Sequence, residues 1–343
     1  PVRVLLPPAS RVPPRRADHR PDVALHRRAQ GSLARGIEDC QDRRVGAVVV
    51  TYQPDLARLR CVLQSAGAQV DDLVVVDNAS SNSREVAAVV GELEGAGFEQ
   101  LTANRGIAAA LNAGVSRLVA GGCSWLLTLD QDTILRAGAV QEVLGELDRM
   151  PDGLRRSTAV VGMSRGLPPP RGRRRRWVER ALVVAEHGPF TERLTVITSG
   201  NLVRAQVFGS VRYDEDLFVD HVDTCFCADV RRTGLRVLEY RRPTMDHRLG
   251  ATVRLRRGRR VYEPAERIYY LTRNGLVLLL RGDLPVRVYL RDVLGLSSVY
   301  VEVHGLGSVR SCAGVVARGM WDGFRRRLGP RPVLVPTTGR ARP

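Results

Sequence analysis

The chain has 343 residues, 44% hydrophobic and 5% aromatic, with a formal net charge of +17. That size and hydrophobic content suit one large globular domain, or one domain with an elaborated tail. All 53 basic residues are arginine; without lysine a Walker-A phosphate loop and Schiff-base chemistry are excluded, and the positive excess favours phosphates, acidic lipid or nucleic acid. Six cysteines (Cys40, Cys61, Cys123, Cys225, Cys227 and Cys312) form no C-x-x-C pair, so reduced thiols are expected rather than a zinc site. No apolar stretch has the length of a membrane span and no signal-peptide h-region opens the chain, which predicts a cytoplasmic protein, at most peripheral to the inner face of the membrane.

Residues 1–44 are rich in proline and arginine without a sustained period, the composition of a disordered leader. From Val45 strands and helices alternate. Val45–Tyr52 reads as a strand, Asp55–Ala68 as a helix with Leu56, Leu59, Leu63 and Ala66 on one face, and Leu73–Asp77 as a buried valine strand. A helix over Ser83–Glu94, a strand near Phe98–Ala103, a helix over Ile107–Val119, a strand over Trp125–Asp130 and a helix over Ala137–Leu147 follow. Four βα repeats predict an α/β fold whose parallel sheet is covered on both faces, with ligands bound beyond the C-terminal strand ends. Three prolines and the run Arg173–Arg176 mark a looser stretch, either solvated or facing an anionic lipid surface. Leu194–Leu202 is strand-like, and Asp220–Thr233 reads as a helix stopped by Gly234. Helical segments bordered by arginines lie near 266–281, 285–304 and 309–328, before a Pro/Arg tail.

Polar residues collect at the strand ends: Thr51-Tyr52, Asp77-Asn78, Asn104-Arg105, and Asp130 with Asp132. Alternation along a strand puts Asp130 and Asp132 on one side, and paired carboxylates suit Mg²⁺ or Mn²⁺; a polar strand exit is the plainer alternative. The turn Thr51-Tyr52-Gln53-Pro54-Asp55 has no glycine, which disfavours a dinucleotide fold.

The segments 48–55, 74–80, 104–112 and 127–132 resemble the family 2 glycosyltransferases of the GT-A fold, and the rhamnosyltransferase-like branch more closely still. Ile197–Leu202, Leu217–Asp223, Asp246–Gly250 and Arg267–Asn274 carry the same resemblance, which spans roughly 45–328. It implies a GT-A catalytic domain over 45–260, with a donor-binding half at 45–135 and an acceptor half at 190–250. A helical C-terminal extension would cover 261–328 and a flexible tail 329–343. It further implies an inverting, metal-dependent transferase that moves L-rhamnose from dTDP-L-rhamnose to a hydroxyl of a growing, lipid-linked or free, cell-surface glycan.

Carried over residue by residue, Thr51, Tyr52 and Asp77 would hold the nucleoside, and Asn104, Arg105 and Gly106 would line the donor. Asp130 and Asp132, completed by His247, would hold the metal. Ser199, Gly200 and Asn201 would form the acceptor-side loop, glycine allowing the sugar to approach closely. The general base would be Asp220 or Asp223, three apart on one helix face. Many relatives carry Glu-Asp where this chain has Asp220-His221; Asp220 is favoured narrowly over Asp223, with a helix N-cap as its plainer role. Other donors (a galactofuranose or hexosamine nucleotide) and a non-catalytic nucleotide-sugar-binding scaffold stay open, as does a homo-oligomer through the C-terminal helices. A nucleic-acid partner is not expected, because no basic-aromatic groove pattern accompanies the charge.

Overall fold

A computed structural model describes residues 43–166, 177–247, 251–255 and 258–331. The leader up to residue 42, the run Arg173–Arg176, Leu249-Gly250 and the tail from residue 332 lie outside them.

The four expected strands form as β1 (Val45–Thr51), β2 (Asp72–Asp77), β3 (Gly97–Gln100) and β4 (Trp125–Asp130), joined by helices α1 (Leu56–Gly67), α2 (Ser83–Gly91) and α3 (Ile107–Ala120). β1 lies between β2 and β4, and β3 extends the sheet beyond β2, all in parallel. Because strand side chains alternate, Ala47, Val49, Val75, Leu127 and Leu129 enter one core while Val48, Val50, Val74, Val76 and Leu126 enter the other. α1 supplies Leu59, Val62, Leu63 and Ala66 to the first, and α3 supplies Leu111, Val115 and Leu118 to the second. Covered on both sides, these strands are apolar throughout rather than alternating. At roughly 1.5–3 kcal/mol for each fully buried Val or Leu, they anchor the loops at their ends.

Past α4 (Ala139–Asp148) and α5 (Asp152–Ser157) the parallel repeat ends. A buried strand, β6 (Thr158–Ser164), forms where the sequence pattern marked no element. The expected strand over Leu194–Leu202 is instead two strands, β8 (Phe190–Arg193) and β9 (Asn201–Arg204), separated by irregular chain. That segment leaves the ladder where the Gly200 amide donates to the Thr128 carbonyl at 2.7 Å. With β7 (Val183–His187) and β10 (Arg236–Pro243) the sheet runs β3-β2-β1-β4-β9-β6-β10-β8-β7, β9 being antiparallel to both its neighbours. β5 (Thr133–Leu135) and β11 (Met245–His247) make a separate two-stranded ribbon, and β12 (Ala251–Leu255) pairs with β13 (Gly258–Tyr262).

Helix α6 (Val222–Arg232) begins two residues later than expected. Phe218, Asp220 and His221 have φ of 66°, 61° and 59°, a left-handed backbone that cannot continue into a right-handed helix. Asp220 is therefore neither the N-cap nor on a helix face with Asp223. The C-terminal layer consists of α7 (Ala265–Leu280), α8 (Val286–His304) and α9 (Val309–Phe324). α9 stops short of residue 328, and Arg326 just beyond it is left-handed. Among the described residues no helix is long and apolar enough to cross a membrane.

Candidate active site

A cavity of about 760 Å³ opens beyond the C-terminal ends of β1 and β4, a volume ordinary for a small-molecule site. Tyr52, Asn104, Gly106, Asp130, Asp132, Ser199, Asp220, Asp223 and His247 all line it. Thr51, Asp77, Arg105, Gly200 and Asn201 do not. Thr51 and Asp77 lie buried behind the wall, where the Thr51 hydroxyl donates to Asp77 Oδ1 at 2.8 Å. The Ser80 hydroxyl and amide donate to the same carboxylate at 2.6 and 2.9 Å. Three donors offset the desolvation of this charge and fix the turn after β2.

Asn78, the next residue, faces the cavity and was not among the expected site residues. Its amide donates to Asn104 Oδ1 at 2.9 Å, and its own Oδ1 accepts the Arg105 N–H at 2.9 Å. The Arg105 guanidinium turns away to Glu215, at 2.8 Å. Gly106 precedes α3 with φ 85°, and a Cβ there would stand 2.2 Å from the Phe218 carbonyl oxygen, which already accepts the Ile107 N–H at 2.9 Å. Only glycine combines that backbone with that approach. Gly200 also makes a close approach, but to the side chain of Met245.

Asp130, Asp132 and His247 meet with ligand atoms all within 4.8 Å of one another. Asp130 ends β4, Asp132 lies in the following turn, and His247 arrives through the β5–β11 ribbon, in which it pairs with Thr133. The Thr133 hydroxyl hydrogen-bonds with His247 Nδ1 and with Ser199 Oγ, both at 2.6 Å, and Ser199 Oγ accepts the Asp130 N–H. Arg58, on α1, donates to the Asp132 carbonyl at 2.8 Å and to Asp246 Oδ2 at 2.9 Å, clamping both ligand-bearing segments from behind. Burial pushes the Asp130 carboxyl up to about 6; His247 opposes that rise, while Asp132 and Asp223 add to it. Two carboxylates and an imidazole form an O,O,N donor set suited to Mn²⁺ or Mg²⁺, and a divalent ion would relieve the crowding of negative charge.

Across the cavity, both oxygens of Asp220 are taken by Arg267, at 2.6 and 2.9 Å. Burial works against the Arg267 charge, but Asp220 and Glu263 more than restore it. Among the described residues Asp223 takes only short-range bonds to one oxygen, from the Thr224 amide and hydroxyl. Burial holds its carboxyl above the ordinary range, opposed by His221 and those bonds. The loop that carries Asp220 and leads into α6 is held by α7. Asn274 Nδ2 donates to the carbonyls of Leu217, Val219 and Asp220 at 2.7–3.0 Å, and the fully buried Arg273 donates to the Leu217 and Gly329 carbonyls. Arg267, Arg273 and Asn274 belong to a motif seen in the sequence without assigned roles, and their heading a C-terminal helix hid their connection to residues fifty positions earlier.

Residues 47–235, more than half of the chain, match the family described as Glycosyl transferase family 2. The chain belongs to glycosyl transferase family 2. A dTDP-rhamnosyl transferase, RfbF of Shigella flexneri, is 27% identical to this glycosyltransferase over 252 residues, 72% of this chain and 84% of the other. The S. aureus TarS 1–349 structure in complex with UDP-GlcNAc superimposes with a TM-score of 0.50 at 14% identity, covering 82% of this chain and 81% of that one. The expected α/β fold of the GT-A type, with its helical extension, is thus the fold of this glycosyltransferase.

Proposed function

We propose that this glycosyltransferase is an inverting, metal-dependent enzyme that moves L-rhamnose from dTDP-L-rhamnose to a hydroxyl of a growing cell-surface glycan. The observation that carries the reading is the Asp130/Asp132/His247 cluster sharing one cavity of about 760 Å³ with a separate carboxylate, Asp223. The rhamnosyl relative supports the choice of donor. Tyr52, Asn78 and Asn104 hold the nucleoside and the near part of the sugar, with Thr51 and Asp77 acting from behind by fixing the turns that carry Tyr52 and Asn78. Asp130, Asp132 and His247 hold the divalent ion, which when bound offsets the charge that develops on the departing nucleotide diphosphate. Asp223 takes the proton of the acceptor hydroxyl as it attacks the anomeric carbon from the face opposite the diphosphate. Its raised pKa favours proton uptake, whereas the bidentate Arg267 contact commits Asp220 to structure, which reverses the order of preference drawn from sequence.

The test is ligand-induced thermal stabilisation of the purified protein across a panel of nucleotide sugars, with Mn²⁺, with Mg²⁺ and with EDTA. Stabilisation by dTDP-L-rhamnose that needs the divalent ion, followed by dTDP release on addition of a glycan acceptor, is expected. Preference for a UDP-hexosamine or UDP-galactofuranose would overturn the donor assignment, and binding without turnover on any acceptor would favour the scaffold reading.

A further inference from the structure

Two of the three tryptophans stand exposed, each beneath a guanidinium. Trp177 is 55% exposed with Arg287 of α8 4.6 Å from its ring centre, and Trp321 of α9 is 49% exposed with Arg325 at 4.5 Å. Beside Arg287, α8 buries Val288, Tyr289 and Val293 while Val286, Leu290 and Leu294, one helical turn apart, are 57%, 48% and 57% exposed. α9 buries Cys312 and Gly319 and leaves Met320, Trp321 and Phe324 in solvent. A helix packed on a soluble core ordinarily turns polar residues outward. Between Val286 and Arg327 the sequence has seven arginines and three acidic residues. Of those acids Asp322 is buried, Asp292 is paired with Arg291 and Glu302 is exposed, which leaves the region net positive.

We propose that the outer side of α8 and α9 docks on an anionic lipid surface. Leucine, valine and indole groups would enter the boundary between headgroups and acyl chains, with the flanking guanidiniums at the level of the lipid phosphates. A second copy of the chain is the poorer occupant, because a two-fold contact would bring two arginine-rich faces together. The purpose of docking rests on the functional reading above: α9 packs through Gly319 and Gly323 against Tyr269 and Arg273 of α7, whose first turns line the cavity. A docked face would therefore keep the cavity close to an acceptor carried on lipid.

Flotation of the full chain with vesicles of phosphatidylcholine, alone or mixed with phosphatidylglycerol, tests the proposal. Binding to the mixed vesicles at low salt is expected, at least about tenfold weaker with phosphatidylcholine alone or at high salt. Leu290→Glu/Leu294→Glu should lower it by about tenfold or more, with melting temperature and dTDP binding unchanged, and Arg287→Gln/Arg325→Gln should weaken it without touching the alkyl stripe. No binding at low salt, indifference to lipid charge, or undiminished binding by both variants would overturn the proposal. So would a dimer that Leu290→Glu/Leu294→Glu dissociates while no vesicle is bound, which would assign the face to a second copy. Because dTDP binding is measured in parallel, failure of nucleotide recognition and failure of docking are read separately.

Discussion

At the scale of single residues the proposed function divides the site into groups that would touch a ligand and groups that hold them in place. Asp132→Ala should abolish the divalent dependence of dTDP binding while the protein stays folded, because Arg58 contacts the Asp132 carbonyl rather than its side chain. Titration calorimetry with and without Mn²⁺ measures this; equal affinities in the two conditions would remove the metal assignment. Asp223→Asn should keep donor binding and lower turnover by about 10²-fold or more, the scale of a lost general base. Asp220→Asn should weaken the Arg267 contact and disturb the loop, but leave a base in place. The same Asp223 substitution should stabilise the fold. With its folded pKa raised by burial, Asp223 binds more protons folded than unfolded between its ordinary and raised values, so its contribution to stability falls as pH rises through that window. In EDTA, Asp223→Asn should melt higher than the wild type near pH 8, and the gap should close toward pH 4. A gap that is flat with pH would mean that the charge is not the cause.

At the scale of elements, the two halves of the sheet differ in how plainly the sequence announced them. β1, β2 and β4 were legible because a strand buried on both faces reads as an unbroken apolar run between turn residues, and the polar residues at their ends fall where a ligand must bind. β6 has an equally buried strand, but it is set between a short helix and a Pro/Arg-rich stretch, with no repeat to flag it. The loop before α6 was harder still. Its left-handed residues Phe218, Asp220 and His221 are not glycines, so their backbone depends on tertiary contacts, chiefly the carboxamide of Asn274. Sequence spacing therefore set Asp220 on a helix that it does not enter, and the resemblance gave Thr51 and Asp77 a nucleoside contact where they support the cavity wall from behind. Asn274→Ala would leave three carbonyls without their shared donor. A loss of about 1–3 kcal/mol in denaturant titration is expected, with turnover falling more than donor affinity. A fully active Asn274→Ala would mean that the loop holds its shape unaided.

At the scale of the whole molecule, the helical layer is part of the site rather than an appendage to it. A Cβ on Gly323 would lie 2.7 Å from the Arg273 carbonyl oxygen, and one on Gly319 would lie 2.9 Å from that of Tyr269, so α9 meets α7 with almost nothing between their backbones. Gly323→Ala must push α9 away from Arg273, whose guanidinium reaches the Leu217 carbonyl. A fall in melting temperature together with a fall in turnover is expected, and a variant equal to wild type in both would show that the two helices separate without consequence.

That close contact also bears on how the protein opens. Asp216 and Leu217, before α6, and Gly329, beyond α9, share one hydrogen-bonding side chain on α7, that of Arg273, and the Gly329 amide donates directly to the Asp216 carbonyl. Neither can detach without stripping partners from the other, so they belong to one cooperative unit. In native-state amide hydrogen exchange the protected amides of α7, of α9 and of the loop before α6 should therefore exchange at a common opening free energy, distinct from that of the valine strands.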